Sequence, residues 1–355
     1  MPMPDGGSGG AGQDAGQDAG PSCADPTAQP SMSCGTLAWV KSASKSRLRN
    51  HHVTLLPQLA AGPFLYALGG FDGMTVTYDN VDRAPIAADG TVGSWVSETP
   101  MPNAMGGFTG TVVSNQVIVI AGGMKSTGIV TDLSYTSVLG ADGSLGAWKS
   151  TGSTLHARMH GGQVVSGNTV YVLGGFDDPN VWSDVVSTTV SPNGTLSTWT
   201  TVGALPGPRS HFSISLIDGY IYITGGLDVS AFDNPPNLPD VSRAQIAADG
   251  TIGAWTSLTP LPVPLATHAS FFYGGYLYVG GGISGTTNAI QEDRVWRAPI
   301  QADHSLGAWE LAAPLLIARA HVHQLPTLGN HVYSVAGAID FNLDATDEID
   351  VGTIE

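Results

Sequence analysis

The chain has 355 residues, 42% of them hydrophobic, which is enough to bury a large core. Thirteen Lys plus Arg stand against twenty-nine Asp plus Glu, a net charge of -16, and no basic run interrupts the sequence. Binding to a nucleic-acid backbone or an anionic membrane is therefore excluded from the expected functions, and no segment has the apolar length of a membrane span.

Residues 1–33 consist of Gly, Ala, Gln, Asp, Pro and Ser with almost nothing to bury, and they read as a flexible tether. The first residues, MPMPDGGSGGAGQDAGQDAG, lack the basic and apolar regions of a signal peptide, yet their composition resembles the spacer behind a signal or lipid anchor in bacterial surface proteins. The expected location is extracellular, periplasmic or at the cell surface, with attachment through a signal or lipid outside the given chain. Cys23 and Cys34 close the tether and are a candidate disulfide, weighed evenly against two free thiols.

From residue 34 onward one phrase recurs. It reads SCGTLAW to Trp39, ADGTVGSW to Trp95, ADGSLGAW to Trp148, PNGTLSTW to Trp199, ADGTIGAW to Trp255 and ADHSLGAW to Trp309, at spacings of 56, 53, 51, 56 and 54 residues. Within each period the signals keep one order. A Pro-containing stretch precedes a strand that often opens with Arg-x-His, a tight turn follows, and an apolar strand ends in double glycine, as in YIYITGG (220–226) or TVYVLGG (169–175). After a variable loop, an alternating strand such as VSRAQIA turns at Asp-Gly into a strand carrying the Trp. Four short strands in meander order predict one propeller blade per period, in an all-β protein with very little helix.

The Arg-x-His opening, the double glycine after a Tyr-bearing apolar strand and the spaced Trp resemble the kelch repeat, over residues 34–355. The resemblance implies a six-bladed β-propeller of four-stranded antiparallel blades. The chain ends in DEIDVGTIE, a third strand without its Asp-Gly turn or Trp strand, and CGTLAW at the other end supplies the missing piece. The N-terminal strand is thus expected to complete the last blade and close the ring. A bacterial version of the repeat is indicated by the V-x-x-A-x-I-x-A-D-G-T segment. Kelch propellers serve many functions, so function must come from the site.

Meander topology places the loop before each first strand and the loop after each second strand on one rim. The candidate ligand-binding residues there are Arg49, Arg158, Arg209 and Arg319, then His51, His160, His211, His268 and His321, then Asp72, Asp177, Asp228 and Asp340 behind the double glycines. The second unit breaks the pattern with Met105-Gly106-Gly107. Such residues more often tie loops and blades together than contact a ligand; as a ligand site, the imidazoles would bind a polar group or change charge between about pH 5 and 7. Phe71 and Phe176 offer aromatic faces to a sugar or peptide, or pack under the loops.

No cofactor is expected. Equivalent residues on different blades are spread around a ring, which argues against chelation, and neither cysteine suits the copper site of the family's oxidases. Asp340, Asn342 and Asp344 alternate like the start of a calcium loop, but Ala345 and Val351 stand where that loop needs glycine and a bidentate acid. Motifs of nucleophilic, phosphate-binding or zinc-protease chemistry are absent from the sequence. The reading is a non-catalytic, monomeric recognition module whose partner is a protein or a surface glycan, through the rim whose longest loop, LDVSAFDNPPNLPD (227–240), lies in unit four. The competing reading is an enzyme on a small polar substrate such as a sugar, epimerase-like or a glycosidase, at the mouth of the central channel.

Overall fold

A computed structural model describes residues 36–73, 75–228, 237–285 and 289–355 of the chain. The tether, Cys23 and Cys34, and most of the long unit-four loop, including Pro235 and Pro236, lie outside the described residues. What is described is all-β: every regular element is a strand, and no helix occurs that is long and apolar enough to cross a membrane.

The repeat folds as the spacing predicts. In unit three, Gly162–Ser166, Thr169–Leu173, Asp184–Thr189 and Thr200–Ala204 pair antiparallel in sequence order. Units one, two, four and five form sheets of the same order, unit one with one additional two-residue strand at Gln58–Leu59. In the sixth sheet among the described residues, Leu37–Lys41 pairs with Ile349–Ile354 in the register Leu37↔Ile354 to Lys41↔Asp350. The two ends of the chain therefore share one sheet, which closes the ring and leaves that strand no free inner edge.

The second strand of each unit is buried on both faces. Leu65–Leu68, Ile118–Ile120, Val170–Leu173, Ile221–Ile223, Leu277–Val279 and Val332–Tyr333 are at most 2% exposed, which is why these strands read as continuous apolar runs. Each packs against the neighbouring sheets, as where Val119 and Ala121 of unit two meet Val170, Val172 and Val186 of unit three.

The recurring Asp-Gly phrase staples neighbouring sheets. Asp249 Oδ1 accepts from the Thr251 amide at 3.0 Å and its hydroxyl at 2.7 Å, and Gly250 takes the left-handed φ of +84° that closes the turn. The second-strand tyrosine of one unit then donates to the turn of the next. Tyr333 reaches the Gly90 carbonyl at 3.0 Å, Tyr222 the His304 carbonyl at 2.8 Å, and Tyr66 the Gly143 carbonyl. In units one to five the tryptophan lies just before the fourth strand, whereas Trp39 lies within Leu37–Lys41; the indole N–H bonds the neighbouring unit from Trp148 to Thr99, Trp255 to Ala204, Trp309 to Thr259 and Trp39 to Ala313. Of the six phrase tryptophans Trp39 and Trp199 are buried; Trp148, Trp255 and Trp309 are half-buried, so hydrogen bonding between units matters at them alongside area burial, while the indole nitrogen of half-buried Trp95 makes no hydrogen bond.

Candidate functional site

The double glycine and the Arg-x-His opening meet where the units approach the axis. The second residue of each pair, Ala336-Gly337 in the last unit, donates its amide to the carbonyl at the Arg position of the next unit: Gly70 to Met105, Gly123 to Arg158, Gly175 to Arg209, Gly226 to Leu265, Gly282 to Arg319 and Gly337 to Arg49, all at 2.7–2.8 Å. A Cβ at Gly226 would sit 2.6 Å from the Ser210 carbonyl, so the close approach itself demands glycine.

A second closed circuit lies inside the first. Two residues beyond the Arg position the backbone turns left-handed, at His51, Gly107, His160, His211, Thr267 and His321, with φ between +52° and +68°. Each of these six donates its amide to the carbonyl of its counterpart in the preceding unit: Gly107 to His51, His160 to Gly107, His211 to His160, Thr267 to His211, His321 to Thr267, and His51 to His321, at 2.7–3.1 Å. Strained backbone at six equivalent positions is thereby held by a ring of hydrogen bonds around the axis.

The four arginines sit beneath this circuit, at most 6% exposed, and face inward to their own blades. Arg158 bonds the Gly174 carbonyl at 2.7 Å and holds Asp184 bidentately at 3.1 and 2.9 Å. Arg49 joins the Gly69 carbonyl to Asp82, Arg209 the Gly225 carbonyl to Asp240, and Arg319 the Ala336 carbonyl to Asp350. The acidic partners flank one inward-facing third-strand residue, one position before it at Asp184 and Asp240, one after it at Asp82 and Asp350. Positions two apart on a strand share a face, so either arrangement reaches the guanidinium. Units two and five fill the arginine position with buried Met105 and Leu265.

Four of the five expected histidines converge. The ring centroids of His51 and His321 are 3.8 Å apart and those of His160 and His211 are 4.0 Å apart, both pairs stacked, with 5.0 Å between His51 and His160. His323, unmarked in the sequence reading, joins them 5.3 Å from His160. His268 does not: Thr267 occupies the left-handed position of unit five, and the His268 ring is buried against Thr224, 2.8 Å from its hydroxyl. His52, also unforeseen, is 1% exposed beside this cluster.

Burial is the largest influence on every one of these rings and holds each of them neutral. It pushes His211 and His268 down to about 3 and His323 to about 4, with His51, His160 and His321 held well below the usual range. Proximity of the other rings depresses His51, His160, His211 and His321 further. The expected change of charge between about pH 5 and 7 is thus displaced to lower pH by desolvation.

These imidazoles divide the channel. Above them opens a funnel of about 780 Å³ floored by His51, His160, His211, Thr267 and His321 and walled by Phe71, Val76, Lys125, Leu227, Phe341 and Leu343 from the loops. Below lies a smaller cavity of about 340 Å³ lined by first-strand residues including Thr54, Thr109, Gln163 and Ser270, and by His323. The upper space has the size and mainly apolar lining of a ligand pocket.

The acidic residues behind the double glycines shape the loops. Asp72 accepts from the Thr75 and Val76 amides and the Thr75 hydroxyl, which holds its carboxyl below the usual range. Asp340 accepts from the Asn342 and Asp344 amides, the work of a turn cap at the stretch that resembles a calcium loop. Asp177 pairs with Asn180 across a two-residue hairpin, and Asp228 is exposed. Phe176 is buried under the floor, near His160 and His211, whereas Phe71 lines the funnel with its edge to His51. Asn237, at the far end of the unit-four loop, donates to the Ile283 and Gly285 carbonyls of unit five and ties the two loops together.

No protein-family model matches the chain. Among curated proteins it is similar to beta-scruin of Limulus polyphemus, 29% identical over 180 residues that cover 49% of this chain and 18% of that protein. It is similar also to Kelch repeat and BTB domain-containing protein 1 of Horsepox virus, 26% identical over 221 residues, 62% of this chain and 36% of the viral one. Kelch-like protein terF of Aspergillus terreus is 25% identical over 230 residues, 63% of this chain and 48% of the fungal protein. The matched region spans less than half the length of each of these relatives.

Proposed function

Because the chain belongs to the kelch-repeat family, we propose that it acts as a non-catalytic recognition module that grips a protein partner at the loop-bearing rim. The observation that carries this reading is where large apolar side chains stay exposed. Of the eleven large apolar side chains exposed among the described residues, Val76, Ile129, Ile290, Ile339 and Phe341, 43–63% exposed, come from the loops behind the glycine pairs, and Val76 and Phe341 line the funnel; Leu48, Leu155 and Leu316 stand just before the Arg positions, and Val40, Val96 and Leu311 lie on fourth strands. Apolar groups left in water around a concavity, on a chain otherwise rich in surface carboxylates, have the composition of an interface core inside a polar rim. An apolar wall favours a protein side chain over a glycan, whose hydroxyls would find few partners there. The first 33 residues would hold the ring away from an attachment point on a cell surface.

The test is a quantitative binding comparison, with a glycan array run in parallel. Partners captured by the wild-type ring should be lost by a variant carrying Val76→Asp, Ile129→Asp and Phe341→Asp, and retained by one altered at Asp249 on the opposite rim. Equal capture by the two variants, or turnover of sugars that disappears with His160→Asn, would overturn the reading.

A further inference from the structure

We propose that His51, His160 and His321 form a binding site for one first-row transition-metal ion, with zinc(II) as the reference case. Three observations lead there. One ligand atom from each of these rings lies within 4.8 Å of the others, and each residue is at least 94% buried. The Nδ1 atoms of His160 and His321 are buried without a hydrogen-bond partner, a condition that buried polar atoms rarely tolerate and that a coordinated ion relieves. Finally, Nδ1 of His51 lies 2.6 Å from Oδ1 of Asn50. An amide oxygen only accepts, so the proton sits on Nδ1 and the lone pair on Nε2, the outer-shell arrangement that orients ligating imidazoles.

The fold explains why equivalent residues of different units can share one ion. They stand on the innermost hydrogen-bonded circuit, where six backbones meet at the axis and the imidazoles of different units pack against one another. Tetrahedral zinc with Zn–N near 2.0–2.1 Å sets ligand separations of about 3.3 Å, so the rings rotate inward when the ion arrives. The backbone beneath them is fixed, which limits the adjustment to side chains. No carboxylate or thiolate joins the cluster among the described residues. An all-imidazole donor set selects zinc, copper, nickel and cobalt over magnesium and calcium. All three rings line the funnel floor, so the ion enters from solvent, and its fourth position is open to His211, His323 or water.

The experiment is a calorimetric titration of the full chain, freed of any affinity tag and stripped with chelator, against zinc chloride, with cobalt(II) absorption as a second readout. One equivalent should bind, cobalt should give a tetrahedral spectrum, and calcium and magnesium should give no heat. Asparagine tolerates left-handed backbone, so His160→Asn and His321→Asn remove a ligand while respecting the φ of the site. Each should weaken binding by more than the roughly 10- to 100-fold expected for Asn50→Ala, an outer-shell change. His331→Asn, on the far rim, should bind as wild type. Failure of the wild-type chain to take up zinc overturns the proposal whatever the variants do, and so does stoichiometric binding that survives both ligand substitutions. The triple-Asp rim variant should still bind zinc, which separates this site from the recognition of a partner.

Discussion

The two rims of the ring are built from the same six repeats and have opposite chemistry. On the Asp-Gly rim each turn is capped by its own side chain, and at several junctions it accepts a tyrosine from the preceding unit. On the loop rim the polar groups of the repeat turn inward, Arg to Asp and amide to carbonyl, while the loops expose isoleucine, valine and phenylalanine. Repetition therefore marks where units hold each other, and departure from repetition marks what faces a partner. The comparison is sharpest if changes at conserved junctions damage stability alone and changes on the loops damage binding alone.

The largest stability effect should come from the junction that closes the ring. A chain beginning at Ser42 loses the whole strand Leu37–Lys41, the buried side chains of Leu37 and Trp39, and five paired positions on Ile349–Ile354. It should unfold without a cooperative transition or associate through the bared edge, which circular dichroism and size-exclusion chromatography would register. Retention of a cooperative, monomeric fold would mean that closure by the first strand contributes little.

Next in size is Arg319→Met. Arg319 and Asp350 are at most 1% exposed, and burial raises the Asp350 carboxyl above its usual range although Arg319 opposes this. Removing the guanidinium strands that carboxyl and frees the Ala336 carbonyl, a loss of about 3–5 kcal/mol in urea unfolding. Pairing the change with Asp350→Leu should restore much of it, since units two and five already manage with Met105 and Leu265 at this position. A double variant as unstable as the single one would assign the effect to the carbonyl contacts instead.

The histidine floor predicts an acid-labile ring. Where burial depresses the folded-state pKa of a histidine, the unfolded chain binds the proton first. Stability is then complete above the unfolded value of about 6.5 and falls as pH drops toward the folded values, about 4 for His323 and about 3 for His211. Each such ring weakens the fold by about 1.4 kcal/mol per pH unit across that window. Urea midpoints should be flat above pH 7 and decline steeply between pH 6 and 4. His323→Gln should make the decline shallower; an unchanged slope would show that the floor does not carry it.

Much of the scaffold was legible because it repeats. Period, strand order, the split sheet and the shared rim of Arg-x-His and double glycine could all be read from six registers at once. The site was less legible, since its logic lies in backbone angles. Aligning on the letter His put His268 in the ring, but the left-handed residue stands seven positions before the left-handed turn residue in units three, four and five: His160 to Gly167, His211 to Asp218 and Thr267 to Gly274. Counting back from the turn, rather than matching letters, selects Thr267. The acidic partners of the arginines escaped notice because they alternate between two third-strand positions, so no single column holds them. The crowding of His51, His160 and His321 is a property of the axis, where residues some 50 or more apart in sequence become neighbours.

The smallest effect tests the far rim against the near one. Tyr333→Phe removes a buried phenol that donates to the Gly90 carbonyl of unit one and keeps the ring that packs between Leu65, Ala84 and Val351. Only the hydrogen bond is lost, so stability should fall by about 1 kcal/mol with binding at the loop rim unchanged. Phe341→Ser makes the complementary change: that side chain is 56% exposed, gives up little on leaving, and should leave unfolding within about 0.5 kcal/mol of wild type while reducing capture of the partner. If the exposed phenylalanine proved as stabilising as the stapled tyrosine, the loops would be part of the scaffold, and the division of the ring into a holding rim and a facing rim would fail.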